Sequence, residues 1–190
     1  MHLVDLVNND RTDKNTTHSY LDLYQVILEK KKETARNVME IGIDRGGSIK
    51  LWHDYFTNAT IHAIDVTHIG DVWDELKDND RIKIYSSFDA YDKQSFDQKF
   101  MIDNTRFDII IDDGIHTLES VRKMLQLYSR IMTDDGILII EDIQNTAWLR
   151  VLSYETPQHL KPFIYTYDLR PQKKRYDDLL FVIDKSRKNI

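Results

Sequence analysis

Cysteine is absent from this 190-residue chain, and glycine and proline are scarce, at six and three residues. The lack of cysteine excludes a disulfide framework, a thiolate-ligated zinc site and a cysteine nucleophile. No apolar run approaches the roughly 20 residues that cross a bilayer, so we expect no membrane partner. The N-terminus lacks the basic stretch and the apolar run of a secretory signal. We therefore expect a cytoplasmic protein.

An excess of positive charge is lacking too, because the formal net charge is −6 and the pI is about 5.6. Nucleic-acid-binding proteins usually carry a basic face, so we expect no nucleic-acid partner. Hydrophobic residues make up 41% and charged residues 31% of the chain, which is the balance of a globular protein. This length suits one domain. We expect residues 1–190 to form it, with a helical segment at 1–36 and a sheet at 37–190.

Strands and helices alternate along the chain. Short apolar runs between polar residues predict buried parallel strands at 37–43, 60–66, 82–86, 107–111 and 136–140. Apolar residues at helical spacing predict helices at 18–36, 47–56, 92–101 and 117–132. The last two apolar runs, joined by a short link, predict an antiparallel hairpin with strands at 163–169 and 179–183. This order predicts an α/β fold with a seven-stranded, mostly parallel, doubly wound sheet.

Two further predictions concern residues that are expected at the protein surface. The basic link at 167–176 is expected to be a solvated hairpin tip, with contact to an anionic acceptor as the alternative. Three aromatic residues are expected to be exposed and to line an acceptor groove or a dimer face: Trp73, Trp148 and Tyr154.

The ends of the first two predicted strands carry residues typical of nucleotide binding. Ligands of doubly wound sheets bind outside the carboxyl ends of the strands. The first strand runs through Gly42 into a glycine-rich turn and a helix, where the main chain can approach a ligand closely. Asp65 ends the second strand, placed to accept both hydroxyls of a ribose. A tight connection and a helix cap are the alternatives, but together the two features favour an adenosine-type ligand.

The fourth and fifth predicted strands end in carboxylates, namely Asp112, Asp113, Glu141 and Asp142. These strands are neighbours in the predicted sheet, so the four acids crowd together and repel one another. A divalent cation with oxygen ligands, preferably Mg²⁺, relieves this repulsion. Helix capping explains one or two of the acids, but hardly all four.

His116 lies three residues beyond Asp113, and it is the candidate general base. The remaining histidines are expected at the surface, in helices or at strand edges: His2, His18, His53, His62, His68 and His159.

Five segments carry a resemblance to a known family: TDKNTTHSY (12–20), EIGIDRGGS (40–48), IHAIDV (61–66), FDIIIDDGIH (107–116) and GILIIEDIQNTAW (136–148). Together they resemble the metal-dependent sugar O-methyltransferases of macrolide biosynthesis, the mycinamicin and macrocin type. The same superfamily includes cephalosporin hydroxylase-like proteins and rhamnosyl O-methyltransferases. The resemblance implies a Rossmann-like class I methyltransferase fold that binds S-adenosylmethionine and Mg²⁺.

The resemblance also implies roles for single residues. The implied cofactor-binding residues are Glu40, Gly42, Ser48, Asp65, Ser87, Phe88 and Asp112. The implied Mg²⁺ ligands are Asp113, Glu141 and Asp142, and the implied catalytic base is His116. The segment 12–20 is expected to fold over the active site as a lid, with Lys14 and His18 near cofactor or substrate. The chain departs from the family pattern at Ile115, where serine is usual, and in the loop at 85–89.

The implied activity is metal-assisted methyl transfer to a hydroxyl of a sugar or glycan-type acceptor with vicinal hydroxyls. Methylation of a catechol-like or other small-molecule diol is one alternative. A nicotinamide-dependent oxidoreductase is another, although the missing third glycine and the acidic cluster argue against it. A non-catalytic binding module on the same fold is the third. Larger relatives carry an additional N-terminal domain, for which this chain has no room, and a homodimer is one option for its assembly.

Overall fold

The computed structural model describes residues 1–67 and 72–187. Within these residues the strands are β1 to β7, at Asn37–Ile41, Thr60–Ile64, Ile82–Tyr85, Phe107–Asp112, Met132–Ile140, Ile164–Asp168 and Leu179–Asp184. They form one sheet in the order β3-β2-β1-β4-β5-β7-β6. Strands β1 to β5 are parallel, whereas β7 runs antiparallel to both β5 and β6. The predicted mostly parallel sheet with a C-terminal antiparallel pair is therefore confirmed.

Helices cover both faces of this sheet. In the described residues they are α1 to α8, at Leu3–Leu6, Leu21–Leu28, Gly47–Tyr55, Asp74–Lys77, Lys93–Phe96, Leu118–Tyr128, Thr146–Glu155 and Arg170–Lys173. Two hydrophobic clusters lie between helices and sheet, one on each face. The central strands are continuous apolar runs because neither face meets water, and Ile109, Ile110 and Ile111 of β4 are fully buried. No helix in the described ranges is long and apolar enough to span a membrane.

Two predicted helices are less regular than their apolar spacing indicates. The helix predicted at 92–101 covers nearly the same residues, but α5 continues as a wider π-helical turn at Asp97–Met101. The helix predicted at 18–36 ends at Leu28 and gives way to a 3₁₀ turn at Glu29–Lys31. Of the two lysines in this turn, Lys31 is buried, and its ammonium lies 2.6 Å from Asp135 of β5.

The N-terminal segment belongs to the same core as the sheet. Leu3, Tyr24 and Leu28 are fully buried in the hydrophobic cluster that also contains Val38 of β1. The short helix α1 begins where the main-chain NH of His2 donates to Asp5. The sequence shows no hydrophobic periodicity in this region, because a four-residue helix with one buried leucine is too short to repeat an apolar position.

The basic link between β6 and β7 is exposed from Pro171 to Lys174, as expected, but it also forms the short helix α8. The Lys173 ammonium donates hydrogen bonds to the carbonyl oxygens of Asn15, Thr16 and His18. The bonds to Thr16 and His18 are 3.1 and 2.7 Å long. The sequence did not predict these contacts, because a basic run that satisfies distant main-chain carbonyls looks the same in sequence as one that faces water.

Among the aromatic residues expected at the surface, Tyr154 alone is largely exposed, at 83%. Trp148 is half-buried against the hydrophobic cluster that covers one face of the sheet. Trp73 is also half-buried, with the Arg11 guanidinium 4.6 Å from its ring centroid. An exposed groove lined by all three residues is therefore not present.

Candidate active site

A cavity of about 540 Å³ opens at the carboxyl ends of the central strands. The predicted site residues on its wall are Gly42, Ser48, Asp65, Phe88, Asp113, His116 and Asp142. Four other predicted residues lie outside this lining: Glu40, Ser87, Asp112 and Glu141. Thr12 and Asp13 of the N-terminal segment complete the wall, so the segment predicted as a lid does border the cavity.

Two glycines, one directly after β1 and one at the start of α3, allow other main-chain segments to approach closely. Gly42 has a φ of +96°, and a Cβ there would lie 2.1 Å from the carbonyl oxygen of Asp113. A Cβ on Gly47 would lie 2.3 Å from the carbonyl oxygen of Arg11. Any side chain at either position would collide with main chain that has no room to move. The glycines thus hold the carboxyl end of β4 and the N-terminal segment against the cavity.

Asp65 joins the ends of the first two strands at one side of the cavity. Its carboxylate accepts hydrogen bonds from the main-chain NH of Ile43, at 2.9 Å, and of Thr67, also at 2.9 Å. Partial burial raises the pKa of Asp65, but the hydrogen bonds from Thr67 and Ile43 outweigh burial and lower it. The side chain is therefore an ionised acceptor in a fixed position.

The loop after β3 is attached to the same strand end. The main-chain NH of Phe88 donates to the carbonyl oxygen of Asp65 at 2.9 Å, and Ser87 has a positive φ of 55°. Phe88 reaches the cavity wall, whereas Ser87 is exposed. The loop that departs from the family pattern therefore still brings an aromatic ring to the cavity.

A buried lysine connects three of the acids. The Lys14 ammonium, which is fully buried, lies 2.7 Å from Asp113 Oδ2, 2.8 Å from both oxygens of Glu141 and 3.2 Å from Glu40 Oε1. Burial alone would lower the pKa of Lys14, but Asp113, Glu141 and Glu40 raise it well above its usual value. Lys14 is therefore a permanent cation, and Ser48 supports the arrangement by donating to Glu40 Oε2 at 2.6 Å.

A second group forms around Asp142, which has a positive φ of 52°. His116 Nε2 lies 3.4 Å from Asp142 Oδ2 and 3.7 Å from Asp113 Oδ1. On its other side, Asp142 Oδ1 accepts a hydrogen bond from the Tyr20 hydroxyl and lies 3.3 Å from His18 Nδ1. Burial raises the pKa of Asp142, as does the nearby Asp113. Each carboxylate oxygen of Asp142 thus faces a different imidazole.

The implied metal ligands are divided between these two groups. Donor atoms of Asp113, His116 and Asp142 lie within 4.8 Å of one another, as do those of Glu40, Asp113 and Glu141. Asp113 is common to both groups, while Glu141 accepts hydrogen bonds from Lys14 and from the Tyr24 hydroxyl. Carboxylate oxygens beside an open cavity are the donor set that a hard divalent cation prefers. These donor atoms fit such a cation, and Lys14 also contacts two of the acids, Asp113 and Glu141.

Asp112 lies beneath the cavity. It is 3% exposed, and its Oδ1 accepts a hydrogen bond of 2.5 Å from the Tyr91 hydroxyl. Burial raises the pKa of Asp112 to about 7. Gly114 makes room for this pair, because a Cβ there would lie 2.3 Å from the Tyr91 hydroxyl oxygen.

Sequence reasoning missed several residues of the site. Tyr20, Tyr24 and Tyr91 each donate to one of its acids, but a tyrosine in a helical or loop segment looks like a core residue. His18 and His62 are only 4% exposed, so neither lies at the surface. The resemblance had placed His18 near cofactor or substrate, and its Nδ1 does lie 3.3 Å from Asp142 Oδ1. His68 lies outside the described residues.

Comparisons with known proteins find that this chain is similar to methyltransferases. No protein-family model matches the chain. L-olivosyl-oleandolide 3-O-methyltransferase of Streptomyces antibioticus is 25% identical over 138 residues, which are 69% of this chain and 34% of that protein. Mycinamicin VI 2''-O-methyltransferase of Micromonospora griseorubida is 30% identical over 118 residues, which are 58% of this chain and 28% of that protein. The predicted resemblance to sugar O-methyltransferases is confirmed.

The solved structures agree on the fold. The MycE methyltransferase in complex with Mg, SAH and mycinamycin VI has a TM-score of 0.77 at 20% identity, covering 98% of this chain and 54% of that one. The N-methyltransferase NodS from Bradyrhizobium japonicum has a TM-score of 0.59 at 14% identity, covering 95% of this chain and 93% of that one. The Rossmann-like methyltransferase fold is thereby confirmed. The chain spans about a third of the length of the curated relatives it matches.

Replacing Lys14 by methionine tests whether its ammonium holds the site together. The variant should lower the free energy of unfolding by about 3–5 kcal/mol, because the buried Glu40 and Glu141 and the half-buried Asp113 lose their common cation. Chemical denaturation in EDTA measures the effect. Lys123→Met, which removes a half-exposed lysine paired with Glu119, is the control and should change stability by less than about 0.5 kcal/mol. Equal effects of the two substitutions would contradict the role of Lys14.

Proposed function

We propose that this chain is an S-adenosylmethionine-dependent O-methyltransferase that acts, with a divalent cation, on a hydroxyl of a sugar or glycan-type acceptor. One observation carries the proposal. A single cavity is bordered on one side by the glycine turn and Asp65 and on the other by Asp113, Asp142 and His116. An adenosyl cofactor and an acidic cation site would therefore face each other across the space where the acceptor enters.

In this proposal the cofactor lies along the ends of β1 and β2. Gly42 and Ser48 would contact its methionine part, and Asp65 would accept the ribose hydroxyls, since a carboxylate oxygen that already accepts from main-chain NH groups has further lone pairs. Phe88 and the neighbouring Ser87 would border the adenine. Two buried acids would support the cofactor site indirectly. Glu40 accepts a hydrogen bond from Ser48, and Asp112 accepts one from Tyr91.

The proposed ligands of the cation are Asp113, Glu141 and Asp142, with Mg²⁺ as the preferred ion. When bound, a cation of this kind lowers the pKa of an acceptor hydroxyl and orients its oxygen. Vicinal hydroxyls on the acceptor suit such a site because both can approach one ion. Lys14 would balance the remaining charge of Glu141 and Glu40 and keep these side chains in place.

His116 is the proposed general base. Its side chain is 27% exposed at the cavity wall, so an acceptor can reach it. Its Nε2 would take the proton from the acceptor hydroxyl, and Asp142 and Asp113 beside it would stabilise the imidazolium that forms. S-adenosylmethionine, when bound at the ends of β1 and β2, would supply the methyl group, so that the methyl ether and S-adenosylhomocysteine would be the products.

We further propose that residues 1–190 act as one domain with 1–36 as a lid segment. Lys14, Tyr20 and Tyr24 of this segment all contact acids of the site, which supports the assignment. Of the three aromatic residues expected at the surface, Tyr154 on α7 is the one exposed enough for a homodimer contact.

Cofactor binding distinguishes this proposal from a nicotinamide-dependent enzyme on the same fold. Isothermal titration should show one-to-one binding of S-adenosylhomocysteine and no binding of NADH. Asp65→Ala should weaken that binding by about tenfold or more, because bonds to a charged acceptor are lost. Asp74→Ala, at an exposed aspartate of α4 that does not line the cavity, is the control and should leave the affinity unchanged. Binding of NADH in preference to S-adenosylhomocysteine would overturn the proposal.

The role of His116 is tested by His116→Ala. Turnover should fall by roughly 10²–10⁴-fold, the usual contribution of a general base, with affinity for S-adenosylhomocysteine unchanged. Product formation from S-adenosylmethionine and a panel of deoxysugar glycosides measures turnover, and catechol in the same panel tests the alternative acceptor class. His159→Ala is the matched control at an exposed histidine. Wild-type turnover in His116→Ala would remove the base from the scheme.

Metal dependence is tested on the ligands that face the cavity. Asp113→Asn and Asp142→Asn should each weaken Mn²⁺ binding, measured by electron paramagnetic resonance, by about tenfold or more, since each substitution removes a charged oxygen ligand. EDTA should abolish turnover of the wild-type protein. Asp134→Asn, in an exposed part of β5, should leave Mn²⁺ affinity unchanged. Full turnover in EDTA would contradict the metal assignment.

A further inference from the structure

Two buried side chains, His18 and Asp178, lie on the side of Asp142 that faces away from the cavity. They are 4% and 0% exposed, and neither lines the cavity. His18 Nδ1 lies 2.6 Å from Asp178 Oδ1 and 3.3 Å from Asp142 Oδ1. The pair therefore cannot touch an acceptor or a cofactor in the cavity, and any part it has in the site passes through a residue that can.

The order of the strands brings Asp178 to this place. Strand β7 runs antiparallel to β5, so the start of β7 lies beside the end of β5. The main-chain NH of Ile143 donates to the carbonyl oxygen of Leu179 at 3.0 Å. The pairing thus extends to the residues that directly follow Asp142 and Asp178, and it places both carboxylates next to the same imidazole.

His18 is held from several sides. Its ring stacks on Tyr20, with 4.9 Å between the ring centroids, and its carbonyl oxygen accepts a hydrogen bond of 2.7 Å from Lys173. Its Nε2 lies 3.5 Å from Asp13 Oδ2. A carboxylate accepts hydrogen bonds and donates none, so Asp178 keeps a proton on Nδ1 and sets the direction of the ring.

Asp142 depends on such support. Its φ of 52° is uncommon for a residue other than glycine. Its Oδ1 faces Tyr20 and His18, whereas its Oδ2 faces His116 at the cavity. Partners that hold a metal-binding carboxylate from behind usually change metal affinity or activity by about 10–100-fold when they are removed.

Stability of the fold does not account for Asp178. Its Oδ2 has no hydrogen-bond partner in the structure, although the side chain is fully buried. A buried charged pair adds little net stability, because removal of the charges from water offsets their attraction. What Asp178 contributes is the fixed position of His18.

We propose that Asp178 is a positioning residue for methyl transfer that acts through His18 on Asp142. Asp178 accepts the Nδ1 proton of His18, and the ring then holds Asp142 Oδ1 so that Oδ2 points to the cavity. The inference rests on the proposed function, in which Asp142 is a ligand of the cation.

A double-mutant cycle with Asp178→Ala and His18→Ala tests the proposal. Each substitution should weaken Mn²⁺ binding, measured by electron paramagnetic resonance, by about 10–100-fold. The double variant should bind Mn²⁺ no more weakly than His18→Ala alone, because Asp178 has no route to Asp142 once the imidazole is gone. The affinity for S-adenosylhomocysteine should be unchanged in all three variants.

Two further variants keep the test independent of folding. Asp178→Asn retains an oxygen that accepts from Nδ1, so it should retain more Mn²⁺ affinity than Asp178→Ala. Asp178→Leu fills the space of the side chain without a buried charge, and it takes the place of Asp178→Ala in the cycle if circular dichroism shows that variant to be unfolded.

Asp184→Ala is the matched control at the other end of β7. Asp184 is also fully buried, and its partners are Lys30 and Arg187. Its replacement should lower the stability of the protein but leave Mn²⁺ affinity unchanged, which separates loss of stability from loss of position.

Wild-type Mn²⁺ affinity in Asp178→Ala would overturn the inference, and so would additive effects of the Asp178 and His18 substitutions. Either result leaves the proposed function standing. A wild-type protein that binds no Mn²⁺ would instead overturn the metal site of the proposed function, and this inference with it.

Discussion

The Lys14 ammonium, buried against Asp113, Glu141 and Glu40, is the interaction on which the candidate site depends. Glu40 and Glu141 are buried and Asp113 is half-buried, and burial raises the pKa of both glutamates. Carboxylates this close together on three adjacent strands need a nearby cation to remain ionised. The fold supplies one from a segment that precedes the sheet in sequence. The lysine is therefore both a link between the N-terminal segment and the sheet and a source of charge balance.

The same segment is held from several other directions. Gly47 lets Arg11 cross the start of α3, and the Lys173 ammonium caps carbonyl groups between Asn15 and His18. Tyr20 and Tyr24 add hydrogen bonds to the acids themselves. The wall of the cavity is thus built from the N-terminus, the ends of the central strands and the β6–β7 link, which are far apart in the chain.

Asp113 and Asp142 each lie between two other side chains of the site. Lys14 lies on one side of Asp113, with His116 near its other oxygen, and Asp142 separates His116 from His18. These contacts hold the orientation of both carboxylates, and both residues still line the cavity. The segments that resemble sugar O-methyltransferases include the ends of both strands, β4 and β5, and the matched residues make up about a third of the length of those relatives.

The amino-acid pattern alone determined the sheet and the strand-end residues. Continuous apolar runs such as FDIII have few other interpretations, and in a parallel sheet their carboxyl ends meet at one edge, so Gly42, Asp65, Asp113 and His116 were predictable. Only the tertiary structure decided which acids pair with which cations. Lys14 is 99 residues from Asp113, and the resemblance placed it near cofactor or substrate but not as the partner of the acids. Lys173 is 155 residues from His18 and looks like an ordinary surface lysine in sequence. Their roles arise from contacts between distant segments, which leave no local period or spacing to read.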